Sequence, residues 1–210
     1  MYRPMRKIVF NSIFMAVMLL MSFQNILAGD NEQALELVRS TADAVLEKIS
    51  ENKAALKADP KLADTLVSDL ILPHFDFTKM TQSAMGRYWK RASESQQATI
   101  VSEFRMLLIR TYSVAVLNYS GQAIEYLPVS DSSAPGKLAT VQTIVTEADG
   151  GPRIPIDYRL ANTDGNWKVF DVVIDGVSLV ANYRTSFAGQ IRRGGFDGLI
   201  NQLRQNNSKS

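Results

Sequence analysis

Residues 167–193, WKVFDVVIDGVSLVANYRTSFAGQIRR, carry a strand, a tight turn and an amphipathic helix in unbroken succession. Trp167, Val169, Phe170, Val172, Val173 and Ile174 form a β-branched and aromatic run interrupted only by Lys168 and Asp171, which predicts a strand with much of both faces covered. Asp175-Gly176 ends it. Beyond the turn, Leu179, Val180, Tyr183, Phe187 and Ile191 recur mostly at three- and four-residue steps, so one stripe of a helix faces inward while Asn182, Arg184, Gln190 and Arg192 face water. Ser178, in DGVSL, is placed to cap that helix; the surrounding residues are not those of a nucleophile elbow. A strand joined directly to such a helix makes a corner, and a corner encloses space.

Working upstream, the alternating pattern defines four strands: Gln122–Val129, Lys137–Glu147, Arg153–Asn162 and Trp167–Ile174. They are separated by turn chemistry at Ser130–Gly136, Asp149-Gly150-Gly151-Pro152 and Asn162–Asn166, which predicts an antiparallel meander. Ile154, Ile156, Tyr158 and Leu160 share one face of the third strand, and Arg153, Asp157 and Arg159 share the other, so one side is packed and the other wetter.

Helices precede the sheet. Asp30 suits an N-cap, and Leu35, Val38, Ala42, Val45 and Ile49 continue with helical spacing. Asp59-Pro60 marks a second start; Leu62, Leu66 and Leu70 line that helix and Pro73 closes it. Asp76 can cap a short third helix ending near Gly86, followed by RYWKRAS. Ser93-Glu94-Ser95-Gln96 fits a capping box ahead of the longest predicted helix, Glu94 to Tyr119, with a wide apolar face that includes Ile100, Phe104, Leu107, Leu108, Tyr112, Ala115, Val116 and Tyr119. After the helix that follows Ser178, Gly194-Gly195 breaks the chain before a last short helix holding Phe196, Leu199, Ile200 and Leu203.

A chain of 210 residues with 46% hydrophobic content can bury a real core in a single domain. Residues 1–28 have the basic start, the apolar run from Ile8 to Phe23 and the small residue, Ala28, of a secretory signal. Its removal takes Arg3, Arg6 and Lys7 with it and turns the formal charge of +2 into −1, which excludes the basic footprint of a nucleic-acid protein. The expected organisation is a signal peptide over 1–28, one domain over 29–205 and a polar tail over 206–210.

The chemical inventory is poor. With no cysteine, disulfides, thiolate nucleophiles and zinc-thiolate sites are excluded, and His74 is the only histidine, so a two-histidine metal site does not exist. The Asp/Gly turns lack the alternating carboxylates of a calcium loop. Arg87, Lys90, Arg91, Arg105, Arg110, Arg184, Arg192 and Arg193 suit either a solvated face or contact with phosphate. Phe104, Leu108, Tyr112, Tyr158, Val173, Val177, Tyr183 and Phe187 suit either a filled core or the wall of an apolar pocket.

Three stretches, LPHFDFTKMTQSAMGRYWKRAS, FRMLLIRTYSVAVLNYSG and residues 167–203 with GGFDGLINQL at their end, resemble the MlaC or toluene-tolerance family of periplasmic phospholipid-binding proteins. The resemblance implies an α+β fold: a curved four-stranded antiparallel sheet of nuclear-transport-factor-like shape, wrapped by helices, with an apolar cavity between them. It implies no enzyme, cofactor or metal, but a bound phospholipid, carried through the periplasm between an outer-membrane lipoprotein complex and an inner-membrane ABC transporter with its substrate-binding ring, which maintains outer-membrane lipid asymmetry. On that reading Phe104, Leu108, Tyr112, Tyr158, Val173, Val177, Val180, Tyr183 and Phe187 are expected to line the tail cavity, with Arg87, Tyr88, Trp89 and Arg91 at its mouth. The alternatives are a protein-interaction or chaperone module without lipid, and an isomerase using Asp157 or Asp171 as base.

Overall fold

The computed structural model describes residues 6–59, 61–129, 136–148 and 150–208, and the side chains from Asn31 onward except those of Ala115 and Val116. Pro60, Asp149 and most of the turn after Val129 lie outside the described residues, as do residues 1–5 of the expected signal segment and the last two of the tail.

The polypeptide is α+β. Helices α1 (Arg6–Ala58), α2 (Lys61–Leu66), α3 (Phe77–Met85), α4 (Glu94–Tyr112) and α5 (Val114–Leu117) precede strands β1 (Ala123–Tyr126), β2 (Leu138–Thr146), β3 (Arg153–Thr163), β4 (Asn166–Ile174) and β5 (Val177–Ser178), and α6 (Leu179–Ser208) closes the chain. The sheet is an antiparallel meander in the order β1-β2-β3-β4-β5. Among the described residues it has five strands where the sequence predicts four. Asp175 (φ 48°) and Gly176 (φ 77°) are both left-handed, so the turn is a tight hairpin and the chain pairs Val177 with Ile174 before entering α6.

Helix ends follow local chemistry. Asp76 Oδ1 accepts the Lys79 N–H at 2.8 Å to start α3, and Ser93 with Gln96 completes the capping box of α4. α4 ends earlier than expected, at Tyr112. Thr111 and Ser113 both donate their hydroxyls to carbonyls one turn back, Leu107 and Ile109, at 2.7 Å, and beyond Ser113 the chain continues as the short α5. Gly195, at φ 66° and ψ −166°, kinks α6 at the predicted break. Two other expectations change. α1 does not start at Asp30, because a lone Gly29 costs only about 1 kcal/mol in a helix, and its helical geometry is interrupted instead at Asn52. The predicted 206–210 tail is helical to Ser208.

Among the described residues, three apolar cores hold the fold. α3, α4 and α6 bury Met80, Phe104, Phe187 and Leu199 among others; Phe104 lies edge-on to Tyr183 and Phe187, with ring centroids 4.8 and 5.1 Å apart. The first part of α1 packs Ala34, Leu35 and Val38 on Val141, Leu160, Trp167 and Val169 of the sheet. Its later part packs Val45 and Ile49 toward Ala63, Val67 and Leu72. Where these cores meet, space is left. Among the described residues no helix is long and apolar enough to cross a membrane.

Candidate functional site

The segment between α2 and α3 runs as a π-helical turn, Val67–Ile71, then a 3₁₀ turn, Leu72–His74, and reaches the edge of β4 that β5 leaves uncovered. It is pinned there by Asp76 N–H donating to the Val169 carbonyl at 2.9 Å, so Phe75 projects between helices and sheet. On one side of it lies a cavity of about 310 Å³ between α1 and the sheet, walled by Leu37, Val38, Thr41, Ala42, Val45, Leu46 and Ile49 of α1 and by Ile124 and Val169. On the other side lies a cavity of about 250 Å³ between α4 and the sheet, walled by Leu108, Ile109 and Tyr112, by Phe77 and Met80, and by Ile156, Val172, Ile174 and Leu179. Ile71, Phe75 and Tyr158 face both. No Asp, Glu, Lys or Arg lines either one.

The sheet wall depends on an irregularity. Arg159 pairs with Asp171 and Leu160 with Val169, leaving Phe170 unmatched as a β-bulge. The extra residue lets Val169 and Val172 face the same side although their spacing is odd, and each lines a cavity. Strict alternation would turn one of them away.

Tyr158, Tyr112 and His74, on the cavity walls, are biased toward their neutral forms. Burial chiefly, and then neighbouring Tyr126, push the Tyr158 phenol up to about 12, against a smaller opposing effect of its hydrogen bond with Thr143. Burial raises Tyr112 as well. His74 faces the larger cavity, and burial first, then the Lys168 cation, lower its pKa, so the imidazole is uncharged at neutral pH. An apolar pocket with no Asp, Glu, Lys or Arg on its wall and only hydroxyl and imidazole polarity suits hydrocarbon; no group of residues able to hold a metal occurs among the described residues.

The expected cavity residues divide. Leu108, Tyr112 and Tyr158 stand on the walls. Phe104, Val180, Tyr183 and Phe187 are brought together one layer away, in the α3–α4–α6 core, without lining either cavity. Val173 alternates with Val172 and so points to the other face of the sheet. Val177 is not enclosed: it sits on the short edge strand, 59% exposed, beside Ile174. Arg87, Tyr88, Trp89 and Arg91 form a 3₁₀ turn over the same helical core and line neither cavity. Asp157 lies beside Gln142 on the outer face, and Asp171 is saturated by Arg159, Ser178 and the Val180 N–H, so neither presents a carboxylate to a pocket.

Sequence reasoning missed the α1 stripe, Ile71 and Phe75. The helical spacing of Val38, Ala42, Val45 and Ile49 is visible in the sequence, but a stripe that faces a void and one that faces other side chains have the same periodicity.

Fold and site together define a class: α+β domains in which helices and one antiparallel meander border apolar space. The chain belongs to the MlaC protein family, whose family model matches residues 39–205. It is 27% identical over 175 residues, 82% of this chain and 81% of the relative, to the intermembrane phospholipid transport system binding protein MlaC of Haemophilus influenzae. It is 28% identical over 163 residues, 77% of this chain and 74% of the relative, to the toluene tolerance protein ttg2D of Pseudomonas putida. Among solved structures, it is similar to a phospholipid-binding protein from Ralstonia solanacearum in complex with a phospholipid, with a TM-score of 0.76 and 33% identity, covering 84% of this chain and 97% of that one.

Proposed function

We propose that this protein is a phospholipid carrier that hides acyl chains in the two cavities meeting at Tyr158 and Phe75. The observation that carries the reading is a pair of adjoining cavities, about 310 and 250 Å³, with no charged residue on either wall. The phospholipid bound by the Ralstonia relative supports it.

Physics explains the need. At about 0.8 kcal/mol per methylene, a lipid with roughly thirty methylenes costs on the order of 24 kcal/mol to expose to water, so unaided transfer between membranes is negligible. A carrier must hide the tails yet hold them no better than a membrane does, because delivery requires comparable affinities at both ends. Apolar walls without covalent chemistry satisfy both demands. The wider role that follows is a periplasmic shuttle, freed by cleavage after Ala28, that moves lipid between an outer-membrane lipoprotein complex and an inner-membrane ABC transporter and so maintains lipid asymmetry.

Native mass spectrometry of protein purified without detergent tests the core of this. A co-purifying mass matching phospholipid is the expected result; a bare chain that also takes up no lipid from vesicles overturns it.

A further inference from the structure

Outside the cavities, the 3₁₀ turn after α3 gathers charge of one sign. The guanidinium carbons of Arg87 and Arg91 lie 5.2 and 5.6 Å from the ring centroid of Tyr88, and Arg87 Nη2 donates to the Tyr88 hydroxyl at 3.2 Å. Arg192, from α6, is close enough to add its positive charge to that of Arg87 at the same phenol. Tyr88 is only 6% exposed beneath them, whereas all three arginines are exposed. Among the described residues none of the three is paired with a carboxylate; the ion pairs are those of Lys48, Arg153, Arg159 and Arg204. Three like charges on one phenol repel, and the tyrosine holds them together as a fixed platform.

We propose that Arg87, Arg91 and Arg192, gathered on Tyr88, form a docking site for a carboxylate-rich segment of a partner protein. The site is separate from the lipid cavities: Arg192 lies roughly 20 Å along α6 from Leu179, at about 1.5 Å per residue. A membrane-seeking surface combines cations with exposed aliphatic or aromatic side chains. Among the described residues the large exposed hydrophobics, Leu62, Met106, Tyr112, Val114, Leu117 and Val177, all lie outside the turn and the middle of α6. Trp89, in the same turn, turns partly into the helical core, so what the face presents is chiefly guanidinium forks, which fit carboxylates paired in twos. This proposal does not depend on what fills the cavities.

The test is binding of a capped oligoglutamate peptide, and separately of phosphatidylglycerol vesicles, at low salt. The full chain is compared with R87Q/R91Q/R192Q and with the equal-charge control K53Q/K57Q/K61Q. Peptide binding weakened about tenfold or more by the arginine set, and about twofold or less by the lysine set, is the expected result. Equal losses in both sets, no peptide binding, or binding of vesicles instead of peptide through the same arginines overturns the proposal. Should the triple variant not fold, R192Q alone carries the same comparison against K57Q. Lipid phosphorus measured in each sample stays unchanged if docking and lipid holding are distinct; loss of lipid in all samples would speak against the carrier reading alone.

Discussion

The carboxylate of Asp171, on β4, accepts the backbone N–H of Val180 in the first turn of α6 at 3.1 Å. The same carboxylate takes the Ser178 hydroxyl at 2.7 Å and Arg159 Nη1 at 3.0 Å, while Ser178 Oγ in turn accepts the Ala181 N–H at 3.0 Å. A buried acid thus fixes the angle at which the helix leaves the sheet. Removing it in Asp171→Ala leaves Val180 N–H and Arg159 without their acceptor and is expected to cost about 2–4 kcal/mol in urea unfolding. Arg159→Ala is expected to cost only about 0.5–1 kcal/mol, because that guanidinium is 47% exposed and solvent screens the pair. Equal losses in the two variants would show that the ion pair, rather than the helix cap, carries the stability.

Tyr158 makes stability depend on alkaline pH. Its phenol is raised from 10 to about 12 in the folded protein, so the native state holds this proton more tightly than the unfolded chain. The contribution is complete below pH 10 and is lost as pH rises toward 12. Tyr112, Tyr126 and Tyr183 shift upward too, chiefly through burial, and widen the same window. Tyr158→Phe is expected to flatten the fall in melting temperature across that range while leaving the curve near neutrality unchanged in shape. A wild-type slope in the variant would assign the effect to the other phenols.

Much of this architecture is written locally. Asp76, Ser93 with Gln96, and Ser178 cap the helices that their sequence context predicts, and Asp175-Gly176 turns the chain where a strand must stop. The features that shape the site are those that local patterns do not encode. The bulge at Phe170 places Val169 and Val172 on one face and depends on the register with β3. The break at Ser113 falls inside a continuous apolar periodicity that carries no proline or glycine to mark it. Phe104, Tyr183 and Phe187 are as apolar as Leu108 and Tyr112, yet they interlock with one another, so identity alone cannot separate a packed ring cluster from a cavity wall.

Glu103 anchors the end of the chain. Its carboxylate accepts Arg204 Nε at 3.1 Å and Asn207 Nδ2 at 2.8 Å, and its backbone carbonyl accepts Asn207 Nδ2 at 3.0 Å. Glu103→Ala is expected to lower global stability by about 1 kcal/mol and to speed amide hydrogen exchange selectively after Leu203. Unchanged exchange there would mean that Leu199, Ile200 and Leu203, which are buried, hold the helix end without it.

Burial separates two glutamate substitutions that the sequence alone would treat alike. Leu108 is 6% exposed on the wall of the smaller cavity, so Leu108→Glu places a carboxylate against Phe77, Met80 and Val172 with no cation on the wall to pair with it. The acid must stay protonated or draw water in; both outcomes penalise hydrocarbon, and lipid phosphorus in the purified variant is expected to fall about tenfold or more. Val177, at 59% exposed, leaves an introduced glutamate in water, so Val177→Glu is expected to change stability by about 0.5 kcal/mol or less and to retain its lipid. If Val177→Glu emptied the protein while Leu108→Glu remained loaded, the tails would lie along the outer edge of β5 instead of between α4 and the sheet.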